Sequence, residues 1–522
     1  MVFDFIVVGT GAASAGALSA LKDENVLVLD VGNIAPSDIK LDSDLYSLKK
    51  NNKNLHNELI GENFESLHNV FKPYISPKLK SPGMNFVANN WQRLSPVKSS
   101  SFDVQMSFAL GGLANAWGGG LYRFNDNDLS KFPIGPSDLN SFYDRLTSSI
   151  GISGAKDDLR EFYQSTKYLQ PEFLLDPISD HTYNSYLNKK KYFNDKNLFM
   201  GRTRLALLSE EHNGRSACDY TGLEFFKPNI PASYNPSYTI NPILKQENVS
   251  YKKKHLVISY KEYEGYVEVI TRNIDDNALV NFQCKKLILA SGPINSAKIV
   301  LSSNSDTSSK LPILDNPISF VPLMTLKWLG KKYPSKFFAG ANLNIVYNGS
   351  LTEHPVQMSF YSPHGALRSD LLFDAPLPFM GSLFSSRSIL PALGIIQVFY
   401  HDEPVSSNYL SLNKDNSLKI EYSVKELGSL EKFLISSFRK IGLWGHSSLC
   451  RYPLAGSCYH YAGTLPMTKN PTKSYQTDIY GKLFDSDRVH IVDASLFPFL
   501  PAKNHSFTVM ANAMRIASYL IK

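Results

Sequence analysis

The sequence has little cysteine. Cys218, Cys284, Cys450 and Cys458 are all there is in 522 residues, and no Cys-x-x-Cys pair occurs. So few thiols exclude a disulfide-built scaffold and lead us to expect free cysteines in a reducing compartment. Cys450, Cys458 and His460 are close in sequence, but at none of the spacings a zinc site uses. Long apolar runs are lacking too. The stretch from Leu311 to Leu329 is broken by Pro, Asp and Asn, so no membrane-spanning helix is expected. Net charge is sparse: 54 basic against 47 acidic side chains give +7, too dilute to imply a nucleic-acid partner or an acidic membrane. The runs Lys189–Lys191 and Lys252–Lys254 read as solvated faces. No Gly-x-Ser-x-Gly elbow is present, which excludes the usual serine hydrolase arrangement. The chain opens directly on the strand pattern Val2–Val8 with no leader-like segment before it, so a cytoplasmic protein is the expectation.

What is there is a globular composition, with 43% hydrophobic and 19% charged residues, in a chain long enough for several domains. Local signals concentrate in 1–33, 104–145 and 445–522, with a weaker one at 284–302. The segments between them are polar, rich in Tyr, Asn, Ser and Lys, and carry no nameable motif.

The first signal is strand, glycine turn, helix, strand, acid. After Val2–Val8 come Gly9-Thr10-Gly11-Ala12-Ala13-Ser14, a run of small helical residues, and the strand Val26–Leu29 ending in Asp30. Gly9 and Gly11 let the backbone turn sharply and approach a pyrophosphate, which rests on the free N–H groups at the helix start. Ser14 stands where a third glycine is usual, small enough for close packing. Asp30, 21 positions after Gly9, suits the hydroxyls of an adenosine ribose. Further on, Leu256-Val257-Ile258 and Tyr266–Ile270 read as a hairpin turning at Gly265. Lys286–Leu289 reads as a buried strand, followed by the small-residue turn Ala290-Ser291-Gly292 and a helix over 295–301.

Three separated segments resemble the glucose–methanol–choline (GMC) oxidoreductase family. Gly111-Gly112-Leu113-Ala114-Asn115-Ala116-Trp117-Gly118-Gly119-Gly120 is similar to the family's second glycine segment, nearest to the pyranose oxidase and sugar dehydrogenase branch. Phe132-Pro133 to Tyr143 resembles the proline-to-tyrosine stretch that follows it. His460-Tyr461-Ala462-Gly463-Thr464-Leu465-Pro466-Met467, then Val492-Asp493-Ala494 and Pro501-Ala502-Lys503-Asn504 to Thr508, resemble the C-terminal block. The resemblance implies an α/β fold with a discontinuous Rossmann-like FAD-binding domain over 1–135, 246–305 and 450–522. A β-sheet-based α+β substrate domain or cap would occupy 136–245 and 306–449, with the Pro-rich breaks near 228–236 as crossings.

It also implies FAD as cofactor, held by Gly9, Gly11, Ala12, Ser14, Asp30, Gly111, Gly112, Asn115, Ala116, Trp117 and Gly118. Val257, Ala290, Gly292, Asp493, Ala494, Asn504 and Thr508 complete that expected set. Members that bind FAD covalently use a histidine where Ala116 stands, so binding is expected to be non-covalent. Asp493 would end a strand beside the flavin or simply cap the turn after it. Thr508 would start a helix aimed at the ring, where a helix N-terminus stabilises negative charge.

Alcohol oxidation needs a base for the hydroxyl proton, and a histidine with an ordinary pKa near 6.5 suits that task. The resemblance assigns that role to His460 and the partner role, 44 positions on, to Asn504, with His505 as the competing partner. The expected reaction is oxidation of a CH–OH donor by hydride transfer to flavin, with an unassigned electron acceptor. An FAD-containing lyase on the same fold, or a non-catalytic FAD-binding protein, are the competing readings. The second glycine segment and the aromatic content (28 Tyr, 31 Phe, 4 Trp) suggest a sugar-like substrate, since sugar rings stack on aromatics.

Overall fold

In the computed structural model, residues 2–37, 39, 41–66, 76–362 and 377–522 are described. The first strand, β1 (Val2–Val8), is buried along most of its length, as its β-branched and aromatic residues require. It pairs in parallel with β2 (Val26–Leu29) on one side and with the strand Leu279–Leu289 on the other. The helix α1 (Ala12–Leu21) crosses between the first two strands. Beyond β2 lies Val249–Lys252, also parallel.

The strand Leu279–Leu289 has two partners on its far edge. Its first half is antiparallel to Tyr266–Asn273, which forms the expected hairpin with His255–Tyr263 through a turn containing Gly265 at φ +93°. Its last residues, Leu287–Leu289, instead pair in parallel with Val489–Ile491. Chain separated by some two hundred residues is thereby stitched into one sheet. The predicted helix at 295–301 is observed as Pro293–Ser303.

The C-terminal helix Ser506–Leu520 packs against α1 so closely that no side chain fits at Gly16, where a Cβ would lie 2.2 Å from the Met510 carbonyl oxygen. The small residue that close packing demands is therefore Gly16. Ser14 has a different task, donating its hydroxyl to the Gly9 carbonyl at 2.7 Å. Two helices within the span expected for the second unit, Pro136–Ile150 and Ser237–Ile243, also add buried residues to this first core, among them Leu139, Tyr143 and Ile240.

A second sheet is wholly antiparallel, in the order Ile318–Met324, Leu393–Phe399, Val356–Tyr361, Leu343–Tyr347, Leu198–Arg202. One face carries Val321, Leu323, Ile396 and Val398 into a separate core with the helix Ser429–Phe438. Pro322 is tolerated because its strand is at the edge of this sheet. The other face looks toward the first domain.

Candidate active site

Between the two sheets lies a cavity of about 1180 Å³. At one end it is walled by Gly9, Gly11, Ala12 and Asp30. Gly9 has φ +95°, and a Cβ there would meet the Ala290 carbonyl oxygen at 2.8 Å, so strand, turn and neighbouring strand close up only on glycine. Gly11 differs: a Cβ there would meet nothing within 4 Å, because the position faces the open cavity. Gly11 is also the N-cap of α1 and makes no side-chain cap bond, so the first helical N–H groups are directed at that space. Asp30 is buried, and burial pushes its carboxyl up to about 7 despite the Thr10 hydroxyl bonded to it. A desolvated carboxylate on a cavity wall is relieved by two more donors, which a ribose diol supplies. These features fit an adenine dinucleotide. Val257, Ala290 and Gly292 continue the same wall.

Of the second glycine segment, Gly112, Ala116, Trp117 and Gly118 line the cavity. Gly111 and Asn115 do not, and build the turn instead. Gly111 has φ +96°, and the Asn115 amide bonds back to the Leu110 and Gly112 carbonyls at 3.0 and 2.8 Å. Thr10 joins both glycine segments, since its hydroxyl bonds Asp30 and accepts from the Gly111 amide. No pattern in the sequence singled out that role.

Asp493 and Ala494 also line the cavity. Asp493 follows the strand Val489–Ile491 and caps the turn Ala494–Leu496. Its carboxylate accepts from the Gly292 amide at 2.9 Å and the Ser296 hydroxyl at 2.5 Å, tying two distant strand ends together. Thr508 departs from expectation. It is the third residue of its helix, and its hydroxyl pairs with Tyr143 at 2.7 Å, facing the neighbouring helix. Ser506 and Val509 of that helix reach the cavity instead, because helical geometry turns position 508 away. Ser14 likewise lies inside α1, off the cavity wall.

His460 and Asn504 meet near the middle of the cavity, with Asn504 Nδ2 3.3 Å from His460 Nε2. Proton positions follow from the partners. Asn316 Nδ2 donates to the carbonyls of Tyr400 (2.6 Å) and Pro501 (3.0 Å), which can only accept. The Asn316 oxygen must then face His460, and at 3.0 Å it accepts from Nδ1–H. With Nδ1 protonated, a neutral imidazole carries its lone pair on Nε2. Gln357, from the antiparallel sheet, donates to Asn504 Oδ1 at 2.8 Å and so turns the Asn504 amide toward that lone pair.

Burial holds the His460 pKa well below the usual imidazole range, assisted by His505, whose ring meets it edge-on at 5.0 Å. Burial also lowers His505, to about 4. His505 packs beside the pair but does not bond His460, so Asn504 is the geometric partner. Phe399 stacks on the other side of the His460 ring at 5.3 Å. The loop bearing His460 is pinned by Asp315, which accepts from the Gly456 amide at 2.6 Å and from Cys458 Sγ at 3.1 Å. Lys503, buried and paired with Asp128, anchors the segment bearing Asn504. Asn316, Gln357, Phe399 and Asp315 all lie outside the motif-bearing segments.

The far wall is the open face of the antiparallel sheet. Alternation puts Phe320, Pro322 and Met324 on it from one strand, and Leu393, Ile395, Gln397 and Phe399 from the next. The helix Phe379–Ile389 adds Ser382, Ser385 and Ser386, whose hydroxyls donate back to the Leu377, Gly381 and Leu383 carbonyls. Gln397 is polar on this face, and the adjoining strand adds Tyr361 to the wall and Gln357 beside Asn504.

Residues 446–513 match the family model described as GMC oxidoreductase. Among solved structures, pyridoxine 4-oxidase from Mesorbium loti is similar over 99% of each chain, with a TM-score of 0.57 at 12% identity. That likeness bears on the fold, and it extends across both sheets. No curated protein sequence matches the chain closely.

Proposed function

We propose that this enzyme, a GMC oxidoreductase of the alcohol oxidase or dehydrogenase type, oxidises a primary or secondary hydroxyl carried on a largely apolar skeleton. When bound, FAD would accept the hydride removed from the carbinol carbon. The glycine turn at Gly9–Gly11, the uncapped start of α1 and the desolvated Asp30 support FAD as the cofactor. Ala116 in the cavity wall offers no nucleophile for a covalent link, which supports non-covalent binding.

The rest of the work falls to side chains of this chain. His460 Nε2 takes the hydroxyl proton, and Asn316 keeps the opposite ring nitrogen protonated and the ring in place. The Asn504 amide, held by Gln357, is within reach of a substrate oxygen placed beside Nε2. The observation that carries the reading is this lone pair, fixed in direction, at the edge of the sheet face that bears Phe320, Met324, Leu393, Ile395 and Phe399.

That face supports an apolar alcohol over the sugar-like substrate suggested by composition. A sugar needs many free donors, and the serine hydroxyls on the helical wall are spent on their own helix. Part of the tyrosine that suggests a sugar is core, with Tyr122, Tyr143, Tyr163, Tyr186 and Tyr234 fully buried, while Tyr361, Tyr452, Tyr459 and Tyr461 reach the cavity. The test is anaerobic mixing of the holoenzyme with aryl, terpenoid, sterol and long-chain alcohols and with free sugars, following flavin absorbance. We expect bleaching by apolar alcohols. Bleaching by sugars alone would overturn the substrate class, and substrate cleavage without bleaching would point to a lyase.

A further inference from the structure

The helix Phe379–Ile389 turns large apolar side chains outward. Its cavity side carries Ser382, Ser385, Ser386 and Ile389, while its outer side exposes Met380 (55%), Leu383 (45%) and Phe384 (77%), followed by Arg387. Positions 380, 383, 384 and 387 share one helical face, so these exposures form a continuous stripe. The stripe has neighbours of the same kind. The backbone of Gly330 bonds Ser388 at 2.8 Å, Thr325 bonds Ala392 at 2.9 Å, and Met324 and Trp444 bond each other at 2.7 and 2.8 Å. These links bring the exposed side chains of Leu326, Leu329 and Trp444 to the same rim. Among the described residues, nine of the 24 exposed large apolar ones fall in segments 326–332, 377–392 and 439–455. Isolated exposed apolar side chains are ordinary, but a cluster of them around a cavity is not.

The charge of the rim is equally one-sided. The three segments contain seven basic residues and no Asp or Glu, an excess equal to the formal net charge of the whole chain, +7. Lys327, Lys331, Arg387 and Arg439 are exposed, and among the described residues none of the four forms an ion pair with a carboxylate. Arg439 lies over the Trp444 ring at 5.8 Å and Lys331 over Trp328 at 5.1 Å, so cation and apolar surface are interleaved.

We propose that this rim is a docking surface for an anionic lipid bilayer. An apolar stripe edged by cations that meet no carboxylate among the described residues is the pattern that lies in a lipid interface, with side chains entering the acyl boundary and cations meeting headgroup charge. A second protein copy would bring the same positive charge against this one, which disfavours a self-association surface. Docked this way, the helix separates the bilayer from the cavity, and an apolar alcohol reaches His460 without crossing water. That last step rests on the proposed apolar substrate; the docking itself does not.

The experiment is sedimentation of holoenzyme with vesicles of phosphatidylcholine alone or with about one third phosphatidylglycerol, at low and high salt. Partition onto anionic vesicles should be at least about tenfold stronger than onto neutral ones and should fall with salt. Leu383→Ser with Phe384→Ser should lower it about tenfold or more, and Lys331→Gln with Arg387→Gln should weaken anionic binding selectively. Flavin absorbance and melting temperature confirm that each variant is folded. Equal sedimentation of wild type and the Ser variant overturns the proposal. So does a concentration-dependent dimer, seen by ultracentrifugation and lost in the Ser variant, without vesicle retention. Retention is read without substrate, so its loss counts against docking alone, and inert apolar alcohols count against the substrate reading alone.

Discussion

The parallel sheet and the antiparallel sheet approach the same cavity by opposite means. On the parallel side the contacts are made by backbone: the chain turns on Gly9, Gly11 and Gly112, and the residues matter for the side chains they lack. On the antiparallel side the wall is made by side chains at alternate positions, and the working groups Gln357 and Phe399 project from strands of ordinary composition. A change on the first side should therefore act by filling space and a change on the second by removing a contact. Gly11→Leu is the sharpest test of the first. The backbone there is at φ −79°, open to any residue, so the fold tolerates the change while the side chain fills the cavity. We expect a folded, colourless protein that does not retain FAD. A yellow Gly11→Leu protein would break the contrast, because it would mean the turn is not where the dinucleotide lies.

The proposed catalytic pair, His460 and Asn504, sits where the two sides meet and should respond in steps. His460→Ala should retain FAD and slow anaerobic flavin reduction by about 100-fold or more, the cost of losing a base. Asn504→Ala should cost less, about tenfold, since it removes one hydrogen bond to substrate or imidazole. Gln357→Ala should approach the Asn504→Ala effect although it does not bond the histidine, because Asn504 is then free to present its oxygen to the lone pair. Stopped-flow reduction of the three variants checks the order. A harmless Gln357→Ala would show that the antiparallel sheet contributes shape alone.

Legibility in the sequence follows the same division. The glycine turn, Asp30, the hairpin at Gly265 and the strand returning at Lys286–Leu289 can be read in the sequence, because each needs a residue type in a local order, whereas His460 and Asn504 are assigned through the family resemblance. Asn316, Gln357 and Asp315 cannot be found in either way. Their value comes from being brought beside the 456–460 and 501–504 segments by strand pairing across 140 residues or more, and a lone Asn or Gln carries no local signature. Thr508 points away from the cavity for a related reason. A motif gives its position along the helix, while the packing of Pro136–Ile150 decides which way it points. Ser14 and Gly16 show the same limit, since the need for a missing side chain arises from the distant Met510. Aromatic content was the weakest guide, because it does not distinguish a core tyrosine from one on a cavity wall.

The smallest expected effect is an absence of pH dependence, and it asks how far the two walls exclude water. An exposed histidine base would lose activity as the pH falls through about 6.5, where it becomes protonated. Burial, and then the neighbouring His505, lower the His460 pKa well below that value. Only the neutral ring accepts the substrate proton, so a lowered pKa extends the active range toward acid. Reductive kcat/KM, which reports the free enzyme, should be nearly flat from about pH 6 to 8, with its acid limb below the ordinary histidine value. Asp315 needs a control, because burial raises its carboxyl to about 6, in the same window, and it anchors the loop that carries His460. In Asp315→Asn the Gly456 amide can still find an acceptor and that titration is removed, so a limb that disappears in this variant belongs to Asp315. His505→Gln should move that limb slightly upward, by removing the neighbour that opposes protonation. A limb centred near 6.5 in the wild-type enzyme would mean that water reaches Nε2 and that the apolar wall does not desolvate the base.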